Sequence, residues 1–162
     1  MQRRWGSPFK SSEIFFGLIT PTKFNYNFKI YRNYDLQNYV VVFIGAGFGG
    51  MLRYWMSAVA SEILPVNFPY GTLSVNLLGS FLIGMFMFYL NDNELISVEM
   101  RILLTTGFCG GLTTFSTFAF ETINLLKNKE FFYAGINILS NVLLTLLALF
   151  LSYKLSKILS GV

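Results

Sequence analysis

A chain of 162 residues is long enough for about one domain, but with 54% hydrophobic and only 12% charged side chains, against about 25% charged in soluble proteins, it is not an ordinary soluble domain. The net charge of +4 is uneven: residues 1–38 hold six basic and two acidic side chains while the other 124 residues balance six against six, so the excess does not mark a nucleic-acid partner for the body of the protein. No histidine and a single cysteine, Cys109, exclude a histidine-based triad, a histidine-containing metal site and a disulfide within the chain.

Residues 1–38 read as a polar, aromatic-rich extension, either disordered or lying on the membrane surface. Its apolar stretch from Ile14 to Thr20 is too short to span a bilayer and follows Glu13, and no small-residue cleavage site stands nearby, so a signal peptide is not expected. From residue 39 onward, hydropathy marks four blocks, at about Tyr39 to Ala60, Gly71 to Leu90, Val98 to Leu126 and Phe131 to Tyr153. Each is near the ~20 residues that cross a ~30 Å hydrocarbon core. Turn residues join them: Pro65, Asn67 and Pro69, then Asn91-Asp92-Asn93-Glu94, then Lys127-Asn128-Lys129-Glu130. Lipid offers the backbone no hydrogen-bond partner, so the blocks are expected to be helices. Their even number puts both termini on one side. Outside the extension, the terminal side carries Arg101, Lys154 and Lys157 and the opposite side Lys127 and Lys129. So small a bias permits insertion both ways up, and an antiparallel dimer, or is balance by chance.

Polar residues inside a span face a bundle interior or a water-filled path. In the first span Arg53 either snorkels to the interface or stands as a cation at the mouth of an anion path. In the second, Thr72, Asn76 and Ser80 share one helical face, and the Asn76 amide can donate to a buried anion or bond to a neighbouring helix. The third holds GFCGGLTTFSTF, Gly107 to Phe118, where three glycines and four hydroxyl residues replace the expected aliphatics. This is either a break whose unwound carbonyls suit a small cation such as Na⁺, or a glycine-rich packing surface on an intact helix. Phe115 and Phe118 follow at a spacing of three, as core or as two ring edges whose positive rim attracts a small anion. The fourth span carries a second polar stripe, Asn137, Asn141 and Thr145. Glu121 has no role that its spacing reveals.

Two rival readings fit worse. Gly45-Ala46-Gly47-Phe48-Gly49-Gly50 satisfies the dinucleotide-binding pattern G-x-G-x-x-G, but no alternating strand and helix pattern follows, and Gly45 with Gly49 reads as a G-x-x-x-G packing face. A small multidrug-type dual-topology exporter also has four spans, yet it rests on an acidic residue in the first span, where this chain has Arg53 and no carboxylate before Glu62.

GAGFGGMLRY, FPYGTLSVNLLGSFLIG and GFCGGLTTFSTFAFET resemble the three signature blocks of the Fluc (CrcB-type) fluoride channels, in the family's order and spacing across about residues 39–155. The resemblance implies an all-α integral membrane protein of four transmembrane helices with the third broken mid-membrane, assembled as an antiparallel, dual-topology homodimer in the cell (inner) membrane. It implies passive export of fluoride that protects the cell from its toxicity. It also implies a structural, non-transported Na⁺ held by the backbone carbonyls of Gly110 and Thr113. The fluoride pathway would take Asn76 as pore amide, Phe115 and Phe118 as the aromatic pair and Arg53 as vestibule cation, with Ser116, Thr117, Thr72, Asn137, Asn141 and Thr145 as weaker assignments. The family usually begins a few residues before the first span, so the true start is expected near Leu36, or the extension is an unusual appendage.

Overall fold

The computed structural model describes residues 36–91 and 95–161. The expectations for residues 1–35 of the extension and for the Asp92-Asn93-Glu94 turn therefore lie outside the described residues, while Leu36, Gln37 and Asn38, placed in the extension by hydropathy, begin the first helix. Every described element is helical: α1 (Leu36–Ile63), α2 (Tyr70–Met85) continued by a π-helical turn (Phe86–Asn91), α3 (Val98–Ile102) continued by a π-helical segment (Leu103–Cys109), α4 (Gly110–Leu112), α5 (Phe115–Lys127) and α6 (Phe131–Leu159). Together they make four stretches long and apolar enough to cross a membrane: Leu36–Ile63, Tyr70–Leu90, Val98–Lys127 and Phe131–Leu159.

The first and fourth helices outrun their apolar blocks, the fourth passing Tyr153 to Leu159. Hydropathy measures what lipid tolerates, whereas a helix continues into the headgroups wherever good helix formers follow. Lys154 and Lys157 are such residues, and their charge suits a helix C-terminus.

Glycines set where the helices meet. A Cβ added at Gly45 would stand 2.5 Å from the Leu103 carbonyl oxygen, and one at Gly111 2.5 Å from that of Ala46. One at Gly49 would overlap the Phe108 carbonyl oxygen. The first and third spans thus cross with backbone against backbone, small residues replacing the hydrophobic driving force that lipid does not supply. A methyl at Gly84 would likewise overlap Ser152 Oγ, which sets the approach of the second span to the fourth.

Local chemistry explains the helix ends. Ser97 caps α3 by accepting from the Met100 N–H at 3.2 Å, and Pro69 precedes α2. After α5 the chain closes a Schellman-type turn, with Glu130 N–H on the Leu125 carbonyl at 2.9 Å and Lys129 N–H on that of Leu126 at 3.0 Å. That turn holds Lys129 at φ 63°, where an L side chain costs about 1–2 kcal/mol. Glycine removes that cost but adds about 0.5–1 kcal/mol of backbone entropy loss. Lys129→Gly is therefore expected to stabilise the subunit by about 0.5–1 kcal/mol, read as a higher melting temperature in detergent. An unchanged or lower value would show that the turn carries no strain.

Candidate functional site

The site grows from one interruption. Helix α4 ends at Leu112, Thr113 (φ −80°, ψ 154°) and Thr114 (φ −150°, ψ 118°) are extended, and α5 starts at Phe115. Extended residues inside a helical span free backbone groups that must find partners. The Asn76 side chain takes both groups of Thr114: its Oδ1 accepts the Thr114 N–H at 2.8 Å and its Nδ2 donates to the Thr114 carbonyl at 3.1 Å. Thr114 in turn caps α5, its Oγ1 accepting the Thr117 N–H at 3.2 Å. A Cβ at Gly79 would overlap Thr113 Cγ2, so the glycine makes room for the extended step.

These bonds explain which carbonyls are available. In an unbroken helix the Thr114 N–H would bond to the Gly110 carbonyl and the Thr117 N–H to that of Thr113. Here both donors are spent on side-chain oxygens, Asn76 Oδ1 and Thr114 Oγ1. Gly110 and Thr113 therefore keep carbonyls without their ladder donors. Among the described residues no cluster of three or more His, Cys, Asp or Glu could hold a metal. A cation here would rest on backbone oxygens, ligands that suit a small hard ion. The donor set fits Na⁺ on the Gly110 and Thr113 carbonyls.

A cleft of about 540 Å³ opens beside the step. It gathers Asn76, Gly110, Thr113, Phe115, Phe118, Asn141 and Thr145 from three of the four spans. The Phe115 and Phe118 rings lie 5.4 Å apart at 58°, with Phe118 buried and Phe115 78% exposed. Thr145 Oγ1 donates to the Asn141 carbonyl, so its oxygen still accepts.

The other candidates lie off the cleft. Ser116 and Thr117 sit on the first turn of α5, their Oγ atoms 3.4 and 2.9 Å from Thr114 Oγ1, and are exposed. Thr72 donates to Glu121 Oε1 at 2.8 Å, and Glu121 Oε2 is buried without a hydrogen-bond partner. Thr72 and Asn76 therefore leave a shared helical face for different partners. Arg53 is half-buried on α1, its guanidinium near Gly50. Asn137 is fully buried, and its Nδ2 donates to Thr122 Oγ1 at 2.9 Å.

Sequence reasoning missed Thr114 and Thr122. Thr114 stood within the hydroxyl-rich run, but only the φ and ψ of its own residue make it the cap. Thr122 lies one helical turn after Phe118, to whose carbonyl its hydroxyl donates at 2.8 Å, and a threonine four residues beyond a pore candidate was a signal available in the spacing.

A profile for the family described as "CrcB-like protein, Camphor Resistance (CrcB)" matches residues 40–153. The chain is 45% identical over 125 residues to a protein of Pyrococcus furiosus named "Fluoride-specific ion channel FluC", an alignment covering 76% of this chain and 98% of the relative. A protein of the same name from Methanococcus vannielii is 49% identical over 109 residues, or 66% of this chain and 85% of its own. One from Clostridium perfringens is 45% identical over 120 residues, or 74% and 94%.

Proposed function

Because the chain belongs to the CrcB-like family, we propose that it is a fluoride-specific ion channel, a multi-pass membrane protein through which cytoplasmic fluoride leaves passively, so reducing fluoride toxicity. It is not an enzyme. The observation that carries the reading is the extended step at Thr113 and Thr114, clamped by Asn76 beside the cleft that holds Phe115 and Phe118. The channel names of relatives 45% and 49% identical support it.

The chemistry follows from the ion. Fluoride is small and strongly hydrated, and conduction needs sites favourable enough to enter and weak enough to leave. Uncharged groups meet both conditions. The Asn76 amide offers one N–H donor once Asn141 is displaced, the Ser116 and Thr117 hydroxyls, and that of Thr145 when it turns from the Asn141 carbonyl, replace part of the hydration shell, and Phe115 and Phe118 turn positive ring edges to the anion. Arg53 draws anions toward the vestibule by its charge without binding inside the path.

The working unit in this proposal is an antiparallel, dual-topology homodimer in the cell (inner) membrane. The near balance of flanking charge outside the extension supports it, as does the 78% exposure of Phe115, a ring that a second copy would cover. A structural, non-transported Na⁺ would be held by the Gly110 and Thr113 carbonyls, and when bound it supplies a fixed positive charge. Thr114 and Asn76 keep those carbonyls out of the helical ladder.

Proteoliposomes loaded with fluoride or chloride test the proposal. The expected result is rapid fluoride release with chloride retained. Phe118→Ile should slow fluoride release roughly tenfold, the rate equivalent of the upper range of one aromatic contact. Equal chloride flux, or strict dependence on a counter-transported cation, would contradict the channel.

A further inference from the structure

The two protons of the Asn76 amide are both in use. One goes to the Thr114 carbonyl, and the other to Asn141 Oδ1 at 2.9 Å. An asparagine amide has two donors, so no proton is left for an ion in the cleft unless one of these bonds opens. The Thr114 bond holds the extended step, which leaves Asn141 as the partner an anion would displace.

Asn141 is held in that place from behind. Its own Nδ2 donates to the Asn137 carbonyl at 3.1 Å and to Asn137 Oδ1 at 2.9 Å. Asn137 Nδ2 donates to Thr122 Oγ1 at 2.9 Å, and the Thr122 hydroxyl proton is committed to the Phe118 carbonyl at 2.8 Å. The direction of the chain is therefore fixed from its far end. Thr122 can only accept from Asn137, Asn137 can only offer its oxygen to Asn141, and Asn141 can only offer its oxygen to Asn76. Asn137 is 0% exposed and lies off the cleft, so it does not touch an ion there.

We infer that Thr122, Asn137 and Asn141 form a one-way hydrogen-bond relay that keeps an internal competitor on the Asn76 amide proton, so that fluoride binds by exchange and is held weakly enough to leave. Thr122 and Asn137 are positioning residues, acting through Asn141. The inference rests on the channel reading above.

The test is the fluoride concentration dependence of flux in planar bilayers or proteoliposomes, for the unsubstituted protein and three variants. Asn141→Ala removes the competitor and is expected to lower the half-saturating fluoride concentration about three- to tenfold, the equilibrium weight of one net hydrogen bond, while lowering maximal flux. Thr122→Val, nearly isosteric, removes the acceptor at the far end and should move both quantities the same way by less. Thr122→Ser keeps the hydroxyl and should behave as the unsubstituted protein. A loosened scaffold alone would weaken binding, which is the opposite shift. Fluoride flux with half-saturation unchanged or raised in Asn141→Ala and Thr122→Val overturns the relay and leaves the channel standing. Absence of fluoride flux from the unsubstituted protein overturns both.

Discussion

Asn76→Leu is expected to abolish fluoride flux and to destabilise the subunit by about 1–3 kcal/mol, the cost of the buried Thr114 N–H left unpaired, because the Thr114 carbonyl, at the N-cap of α5, keeps that helix's first backbone bond. Thr114 is only 7% exposed, and its N–H and carbonyl both end on the Asn76 side chain. Leucine fills nearly the same volume and supplies neither partner. Asn76→Asp separates the two bonds: the carboxylate still accepts the Thr114 N–H but donates neither to the Thr114 carbonyl nor to Asn141 Oδ1. It should therefore fall between the parent and Asn76→Leu in stability while passing no fluoride, since it offers an anion only lone pairs. Thermal or chemical unfolding in detergent, run beside liposome efflux, reads both effects. Asn76→Leu as stable as the parent would mean that Thr114 pairs without this side chain, and the origin assigned to the extended step would fail.

That residue also marks how far the sequence alone could reach. Helices long enough to cross a bilayer are legible because charge is scarce and the few charged residues cluster between apolar blocks. The ends are less legible, because the fourth helix continues through Ser156 and Lys157, which hydropathy counts against a span and helix propensity does not. The π-helical segments are not legible at all. The one at Leu103–Cys109 closes with the Gly110 N–H reaching back to the Thr105 carbonyl, five residues away, a widening that arises from packing and leaves no mark on residue spacing. The four-residue spacing of Thr72, Asn76 and Ser80 puts them on one helical face. The structure divides it, because Glu121 lies opposite Thr72 and the extended step opposite Asn76. Which partner a polar side chain finds depends on what the facing helix presents at that height, and periodicity within one helix does not contain it.

Gly49→Val is expected to prevent the subunit from reaching a stable folded state, while Gly47→Ala, two residues away on the same helix, is expected to stabilise it by about 0.5–1 kcal/mol. The pair decides between two meanings of one motif. In a phosphate-binding fingerprint the glycines that matter would be Gly45, Gly47 and Gly50. In this structure a Cβ at Gly47 meets nothing within 4 Å, and one at Gly50 only the tip of the Arg53 side chain at 4.0 Å. The crowded positions are Gly45 and Gly49, and across the contact Gly107 and Gly111. At Gly49 an added Cβ would overlap the Phe108 carbonyl oxygen and stand 2.8 Å from the Leu112 nitrogen. Those are backbone atoms, which cannot rotate away as a side chain would. Valine therefore has to push the first span off the third, and the third carries Gly110, Thr113 and the extended step. Loss of packing between the two helices has no compensation from water exclusion, because lipid is as apolar as the side chains it would replace. Size-exclusion profiles and melting temperatures of the two variants in detergent measure the difference. If Gly49→Val proved as stable and monodisperse as Gly47→Ala, the close crossing would be wrong, and with it the rigid support that holds the step against Asn76.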